Sequence, residues 1–405
     1  MANVSSSNGL EKRPKLRFPG FDEPWIVRKL SDILSQRIEK QVPSKDAPLM
    51  AFTAEGGVEP KGERYDRSYL VKSEDKLYKR TEYNDFIYSS NNLDVGSIGL
   101  NKYGTAVISD VYEIFSVKSD CLPTFVSELI QRPQNLAKIL KYRQGCLYGQ
   151  YRIYAEDFLS VSVFVPAKQE QNEIAQFLDS IDKRIAHQHS LIEALKKYKR
   201  GAVRCLLSAK SCPLRNARWT TAKMGELGSF VKGAPLSKAD ISEDGTPFIL
   251  YGELYTTYNE VVTSVKRRTQ AQVDETFLSR VGDVVIPTSG ETPEEISTAS
   301  CIMLPDVILA GDLNIFRGDK VDGRIMSYLL NHVVNGKIAR IAQGKSVVHI
   351  QASELCKLTL TYPDKNTQNT IIGFLSLLDD KIMNEENSLA FLSALKEGLL
   401  QQLFI

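Results

Sequence analysis

The sequence is short of the residues that most enzymes work with. Its 405 residues hold only four histidines, His187, His189, His332 and His349. His187 and His189 lie two apart on a predicted helix, so they face different directions and make a poor metal pair. The six cysteines, Cys121, Cys146, Cys205, Cys212, Cys301 and Cys356, are scattered with no C-x-x-C pair. That excludes a zinc ribbon or a disulfide framework and points to buried or half-buried thiols in a reducing compartment. No Asn-Pro-Pro-aromatic or Asp-Pro-Pro-aromatic run occurs, so an adenine methyltransferase site is missing, and no G-x-G-x-x-G follows a strand. Gly344-Lys345-Ser346 is similar to the end of a phosphate loop, but Ala339 stands where that loop needs its first glycine, and the segment reads as a turn. Glu74-Asp75-Lys76 has the acid-x-Lys form found in nucleases, a triplet that chance supplies easily. The expectation is a chain with no catalytic residues and no metal of its own.

A surplus of one charge is also absent. Lys+Arg number 51 against 49 Asp+Glu, a net charge of +2, which excludes a histone-like polycation but not a local basic face. Nor is there a long apolar run. Met1 to Gly9 is Ser/Asn-rich without an apolar core, so no signal peptide is expected. Cys301 to Ala310 is broken by Pro305 and Asp306, well short of the roughly 18 to 20 apolar residues of a membrane span. A soluble, cytoplasmic protein without a membrane partner is expected. With 42% hydrophobic and 25% charged residues the mix is that of globular proteins, and the length suggests two or three domains.

What the sequence does contain is itself, twice. Pro166 laid on Pro363 aligns the rest of the chain without gaps. Lys168 then meets Lys365, Gln171 meets Gln368, Asn172 meets Asn369, Phe177-Leu178 meets Phe374-Leu375 and Asp182 meets Asp379. Trp25 echoes Trp219 and Gln144-Gly145 echoes Gln343-Gly344 at nearly the same offset, close to half the chain. The plan is globular unit, helix, globular unit, helix, with repeated ends around interiors that barely match.

The helical segments carry a seam. Ile174, Leu178, Ile181, Ile185, Ile192 and Leu195 step by four and three, and Ile371, Leu375, Leu378, Ile382, Leu389 and Leu392 repeat the steps. Polar residues interrupt both copies at the same places, Gln188 and Lys199 in one, Glu385 and Lys396 in the other. Such a period over several heptads is a coiled-coil signal. A parallel pair would set Lys199 against Lys396, so an antiparallel pair is expected. The fold class expected is α/β (α+β): two mixed units separated by two long antiparallel coiled-coil helices, with pseudo-two-fold symmetry. The expected division is a flexible segment at 1–14, a first globular domain at 15–165, a long helix at 166–208, a second globular domain at 209–362 and a second long helix at 363–405. Strand-like runs include Asp85 to Tyr88, Ala106 to Ile108, Asp283 to Ile286 and Asn314 to Arg317, with helical stretches around Thr124 to Lys141 and Gly323 to Ala342.

Loops in both units mix glycine, aromatic and basic residues, types that read base edges and hold phosphates. On loop context and side-chain type, Lys102, Tyr103, Tyr151 and Arg152 are expected to contact DNA from the first unit, and Lys232, Lys238, Tyr251 and Lys345 from the second.

With these features in order, the chain resembles the specificity (S) subunit of type I restriction-modification systems. Lys15-Leu16-Arg17-Phe18-Pro19-Gly20-Phe21, followed by Trp25, is similar to the family's opening. Phe230 to Asp240, Gly245 to Ile249 and Tyr251-Gly252 resemble the start of its target-recognition domains; Tyr83 to Ile87 and Gly282 to Pro287 fit the same pattern. Pro166 to Gln171, with Ile174 and Asp182, resembles the signature before its conserved helix, and Thr367 departs from it where glutamate usually precedes Gln368. The resemblance implies that each unit reads one half of a bipartite, asymmetric double-stranded DNA site and that the helix pair sets the unread gap. It implies two methyltransferase subunits as partners, and two translocase-nuclease subunits in the restriction complex. S-adenosylmethionine, ATP and Mg²⁺ would belong to those partners, with no cofactor in this chain. Two other readings of the residues stay open: a coiled-coil scaffold with two non-DNA adaptor modules, and a single-chain restriction enzyme with an unrecognised site.

Overall fold

The computed structural model describes residues 13–53, 56–60, 76–91, 93, 97–147, 150–342 and 348–405. The chain divides into two compact units, Met1–Gln188 with Ser388–Ile405, and His189–Asn387.

The first unit opens with the strand Ile26–Lys29, which pairs antiparallel with Ser162–Val165 just before the first long helix. A single helical turn, Leu30–Ile33, follows. Its first N–H is spoken for by the carbonyl of Val161 at 2.8 Å, and Asp32 accepts from the Lys29 N–H at 2.8 Å. A four-stranded sheet comes next, in the spatial order Leu34–Gln36, Tyr112–Val117, Phe86–Ser89, Ile98–Leu100. A three-stranded sheet joins Lys40–Gln41, Tyr78–Thr81 and Ala106–Ile108. The expected helical stretch is two helices, Pro123–Ile130 and Pro133–Leu140, each with proline in its first turn, where no N–H is needed. Tyr88, Phe115 and Phe158 pack with centroids 4.6 to 5.8 Å apart, and Trp25, Phe125 and Phe404 form a second group in the same core.

The second unit repeats this plan bond for bond. Trp219–Lys223 pairs with Thr359–Pro363, Met224 donates to the Leu358 carbonyl at 2.9 Å, and Glu226 accepts from the Lys223 N–H at 3.1 Å. Its main sheet runs Ser229–Lys232, Leu313–Arg317, Asp283–Pro287, Ser300–Ile302, the same order as in the first unit, with one more strand, Val261–Val262, at the edge. The turn before the central strand is shared too. Asn84 and Gly282 both have positive φ, 67° and 96°. Asp85 accepts from the Glu82 N–H at 2.7 Å, and Asp283 from the Arg280 N–H at 2.9 Å. The neighbouring pairing is shared as well. Ala106–Ile108 lies antiparallel to Tyr78–Thr81 and bridges Leu49 in parallel, while Ile308–Ala310 lies parallel to Thr246–Leu250 and bridges Leu278 antiparallel.

Each long helix has 39 residues, Lys168–Leu206 and Lys365–Leu403. Pairing is antiparallel in each unit. In the first, Ile174 and Leu178 share a core with Leu400 and Leu403, and Lys396 meets Asp182 at 2.6 Å. In the second, Val203 and Leu207 share a core with Ile371 and Leu375, and Lys199 meets Asp379 at 2.5 Å. Ile174, Leu178, Ile192, Ile371, Leu375 and Ile382 are buried; Ile181, Ile185, Leu195, Leu378, Leu389 and Leu392 are half-buried. The lysines that interrupt the seam therefore each find the repeated aspartate of the other helix.

The glutamine of the signature now has a physical role. Gln171 is buried, donates to the Pro166 carbonyl at 3.0 Å and accepts from the Leu122 N–H at 2.9 Å. Gln368 does the same with the Pro363 carbonyl and the Asp322 N–H, both at 2.8 Å. One amide thus ties the end of the last strand, the start of the long helix and the start of the domain helix. The residue before it differs because its partner differs. Glu170 is clasped by Arg17 at 2.7 and 2.8 Å, while Thr367 hydrogen-bonds Asp364 at 3.0 Å, and Asp364 also accepts from the Arg218 N–H at 2.8 Å.

Candidate nucleic-acid interface

In the first unit, Tyr151 and Arg152 lie on the strand Gln150–Arg152, paired with Gln144–Leu147. A bridge from Arg152 to Asn91 and a hydrogen bond from the Ile153 N–H to the Ser90 carbonyl at 2.9 Å join this hairpin to the exit of the central strand Phe86–Ser89. Beside it stands the buried Glu113 carboxylate, which accepts from Lys79 at 2.9 Å and Gln36 at 3.1 Å and lies 3.7 Å from the Arg152 guanidinium. The Arg152 guanidinium sits 4.9 Å above the Tyr154 ring, and that of Arg143 sits 5.7 Å from the Tyr151 ring. Such cation–π contacts hold a guanidinium against a ring, and Arg143 also donates to the Leu140 carbonyl at 3.3 Å. Arg143 and Tyr154 complete an exposed basic–aromatic group that the sequence reading missed. The signal was the alternation of both types across 142–154.

Lys102 and Tyr103 do not join this group. They are exposed in the loop after Ile98–Leu100, and Leu100 pairs with Phe86, at the entry of the central strand. At about 3.3 Å per residue that is some 10 Å from the exit. The buried Asn101 shapes the loop, donating to the Gly104 carbonyl at 2.7 Å and accepting from the Tyr103 and Gly104 N–H groups at 2.9 and 3.1 Å.

The second unit builds the equivalent sheet end. Lys232 closes its strand opposite Asn314 and donates to the Asn314 side chain at 3.1 Å. Ser289 pairs with His349, and the Ile350 N–H donates to the Thr288 carbonyl at 2.9 Å, the counterparts of Asn91, Arg152, Ile153 and Ser90. Tyr251 follows the strand Thr246–Leu250 and lies beside Gly311, where φ of +79° favours glycine. Lys232 and Tyr251 therefore flank the same turn, Gly311–Asn314. Lys238 is exposed on a separate turn capped by Ser237. Lys345 lies outside the described residues.

Deeper in this unit Lys199 is buried between Glu260 at 2.9 Å and Asp379 at 2.5 Å. Glu260 also meets His332 at 2.5 Å, and Tyr328 donates to Asp379 at 2.9 Å. Burial alone would raise the Glu260 pKa, but His332 and Lys199 outweigh it and bring it down to about 2. Burial likewise works against the Lys199 cation, and the two carboxylates outweigh it to raise its pKa. The same position in the first unit, Lys396 with Asp182, is partly exposed and simpler. Among the described residues no cluster of His, Cys, Asp and Glu could hold a metal, and no helix is long and apolar enough to cross a membrane.

Comparison with known proteins agrees with this doubled geometry. No curated protein sequence matches the chain. Two solved structures share its fold over nearly the whole length. The S subunit of a type I restriction-modification system from M. genitalium matches with a TM-score of 0.56 at 15% identity, covering 97% of this chain and 99% of the other. A chain from a structure concerned with complex assembly and conformational transition of the type I R-M system matches with a TM-score of 0.59 at 13% identity, covering 95% and 98%. The type I restriction modification DNA specificity domain matches residues 22–197 and again 216–392. Two copies of that domain, filling most of the sequence, place it: the chain belongs to the type I restriction-modification DNA specificity family.

Proposed function

We propose that this chain is the DNA sequence-recognition subunit of a type I restriction-modification complex. Each unit reads one half of a bipartite, asymmetric site, and the chain directs partner subunits to methylate adenines or to cleave DNA with ATP. The observation that carries this reading is one hydrogen-bonded frame used twice with different side chains at the same sheet end: Gln36, Glu113 and Arg152 in one unit, Lys232, Asn314 and His349 in the other. A frame repeated with altered side chains suits two unrelated half-sequences. Phosphate contacts would set the position of each unit on the duplex, and base-edge contacts would give its sequence. The chain itself is read as non-catalytic. Two methyltransferase subunits supply S-adenosylmethionine chemistry and extract the target base from the stack, and two translocase-nuclease subunits supply ATP and Mg²⁺ chemistry.

The test is methylome sequencing of a host that expresses the chain with a cognate methyltransferase subunit. The expected result is a new split motif with one methylated adenine on each strand. A stable complex with an active methyltransferase but no new motif would overturn the reading.

A further inference from the structure

Among the described residues, five arginines in the globular part of the first unit spend their donors inside the protein. Arg17 gives two hydrogen bonds to Glu170, and Arg37 gives two to Asp85. Arg28 bonds Asp120 and the Asp32 carbonyl. Arg80 bonds Glu82 and Gln41, and Arg132 bonds Glu128. Arg152 differs. Its side chain is 46% exposed, and its one ion pair, to Glu113, is 3.7 Å long, beyond hydrogen-bonding range. Among the described residues no hydrogen bond engages its guanidinium. Yet the group is not loose. Glu113, fixed by Lys79 and Gln36, attracts it from one side, and the Tyr154 ring lies 4.9 Å away. Its backbone is pinned by pairing with Gln144 and Asn91.

A planar cation held in place with its donors open is prepared for a planar pair of acceptors. In the major groove guanine offers that pair, O6 and N7, and adenine offers only N7 beside a donor. A phosphate can also accept two donors but is the same at every base pair, whereas guanine presents two acceptors that the arginine fork meets at once. We infer that Arg152 reads a guanine in the half-site of the first unit, with Glu113 and Tyr154 as positioning residues. This rests on the DNA-reading role proposed above and names one base and the residue that selects it.

The test compares methylomes from hosts carrying the cognate methyltransferase with wild type, Arg152→Ala, Arg152→Lys or Glu113→Gln. The wild-type motif should hold a guanine in one half-site whose preference falls about tenfold or more in Arg152→Ala. The other positions and the whole second half-site should stay fixed, which also shows that the variant is folded and assembled. Arg152→Lys should relax the same position, and Glu113→Gln should relax it in part. A split motif that Arg152→Ala leaves unchanged overturns the assignment while the two-reader function stands. A wild-type chain that yields no split motif overturns the function itself and the assignment with it.

Discussion

The buried amides of Gln171 and Gln368 are single residues on which much local order depends. Each joins a proline carbonyl to the N–H of the residue just before a domain helix, and removing it leaves both groups without that partner. Gln171→Ala or Gln368→Ala should each lower stability by about 2 to 3 kcal/mol, read from the midpoint of urea unfolding. The buried carboxylate of Glu260 makes a different prediction. Its pKa falls from the ordinary 4.5 to about 2 on folding, so its contribution is present above pH 4.5 and is lost as the pH drops toward 2. That contribution is about 3 kcal/mol at one pKa unit per 1.36 kcal/mol. Unfolding across this acid range should show the loss in wild type and a flatter profile in Glu260→Gln. Little of this was legible in the sequence. The signature marks Gln171 and Gln368 by position, but Glu260 and His332 stand 72 residues apart and meet only because the loop at Asn259 docks beside the helix Gly323–His332.

Among the elements, the long helices were the most legible, because their seam obeys a period that the sequence displays directly. Leu178 and Leu375 are buried in their units' cores, whereas Leu377 is 70% exposed. Leu178→Ala and Leu375→Ala should therefore cost about 2 to 5 kcal/mol each, while Leu377→Ala should stay within about 0.5 kcal/mol. The two seam lysines should also differ. Lys199→Met leaves Glu260 and Asp379 without their shared cation and should cost about 3 to 5 kcal/mol. Lys396→Met removes a half-exposed pair with Asp182 and should cost no more than about 1 kcal/mol. Unfolding curves of the five variants decide both comparisons. The strands were legible one at a time and not as sheets. Asn84 and Gly282 share a backbone conformation but not a residue type, and Arg152 and His349 share a pairing position but not a chemistry. Equivalence of that kind lives in hydrogen bonds, which residue identity does not record. For the same reason Lys102 and Arg152, expected from sequence to contact DNA from the same unit, are sent by strand pairing to opposite ends of Phe86–Ser89.

At the scale of the whole molecule, the repeated frame is what the proposed function needs if each unit is to read its half-site independently. The strand pair Ile26–Lys29 with Ser162–Val165, the glutamine tie and the shared sheet order recur in both, so the scaffold tolerates exchange of what it carries. The side chains at the sheet ends hold what differs. The most direct measurement is therefore an exchange. Residues 15 to 165 are replaced by the corresponding unit of another specificity chain, and the methylome is read with the same methyltransferase. One half of the split motif should change to the donor's sequence while the other half remains as it was. A motif altered in both halves, or in neither, would contradict the account of one unit for each half-site.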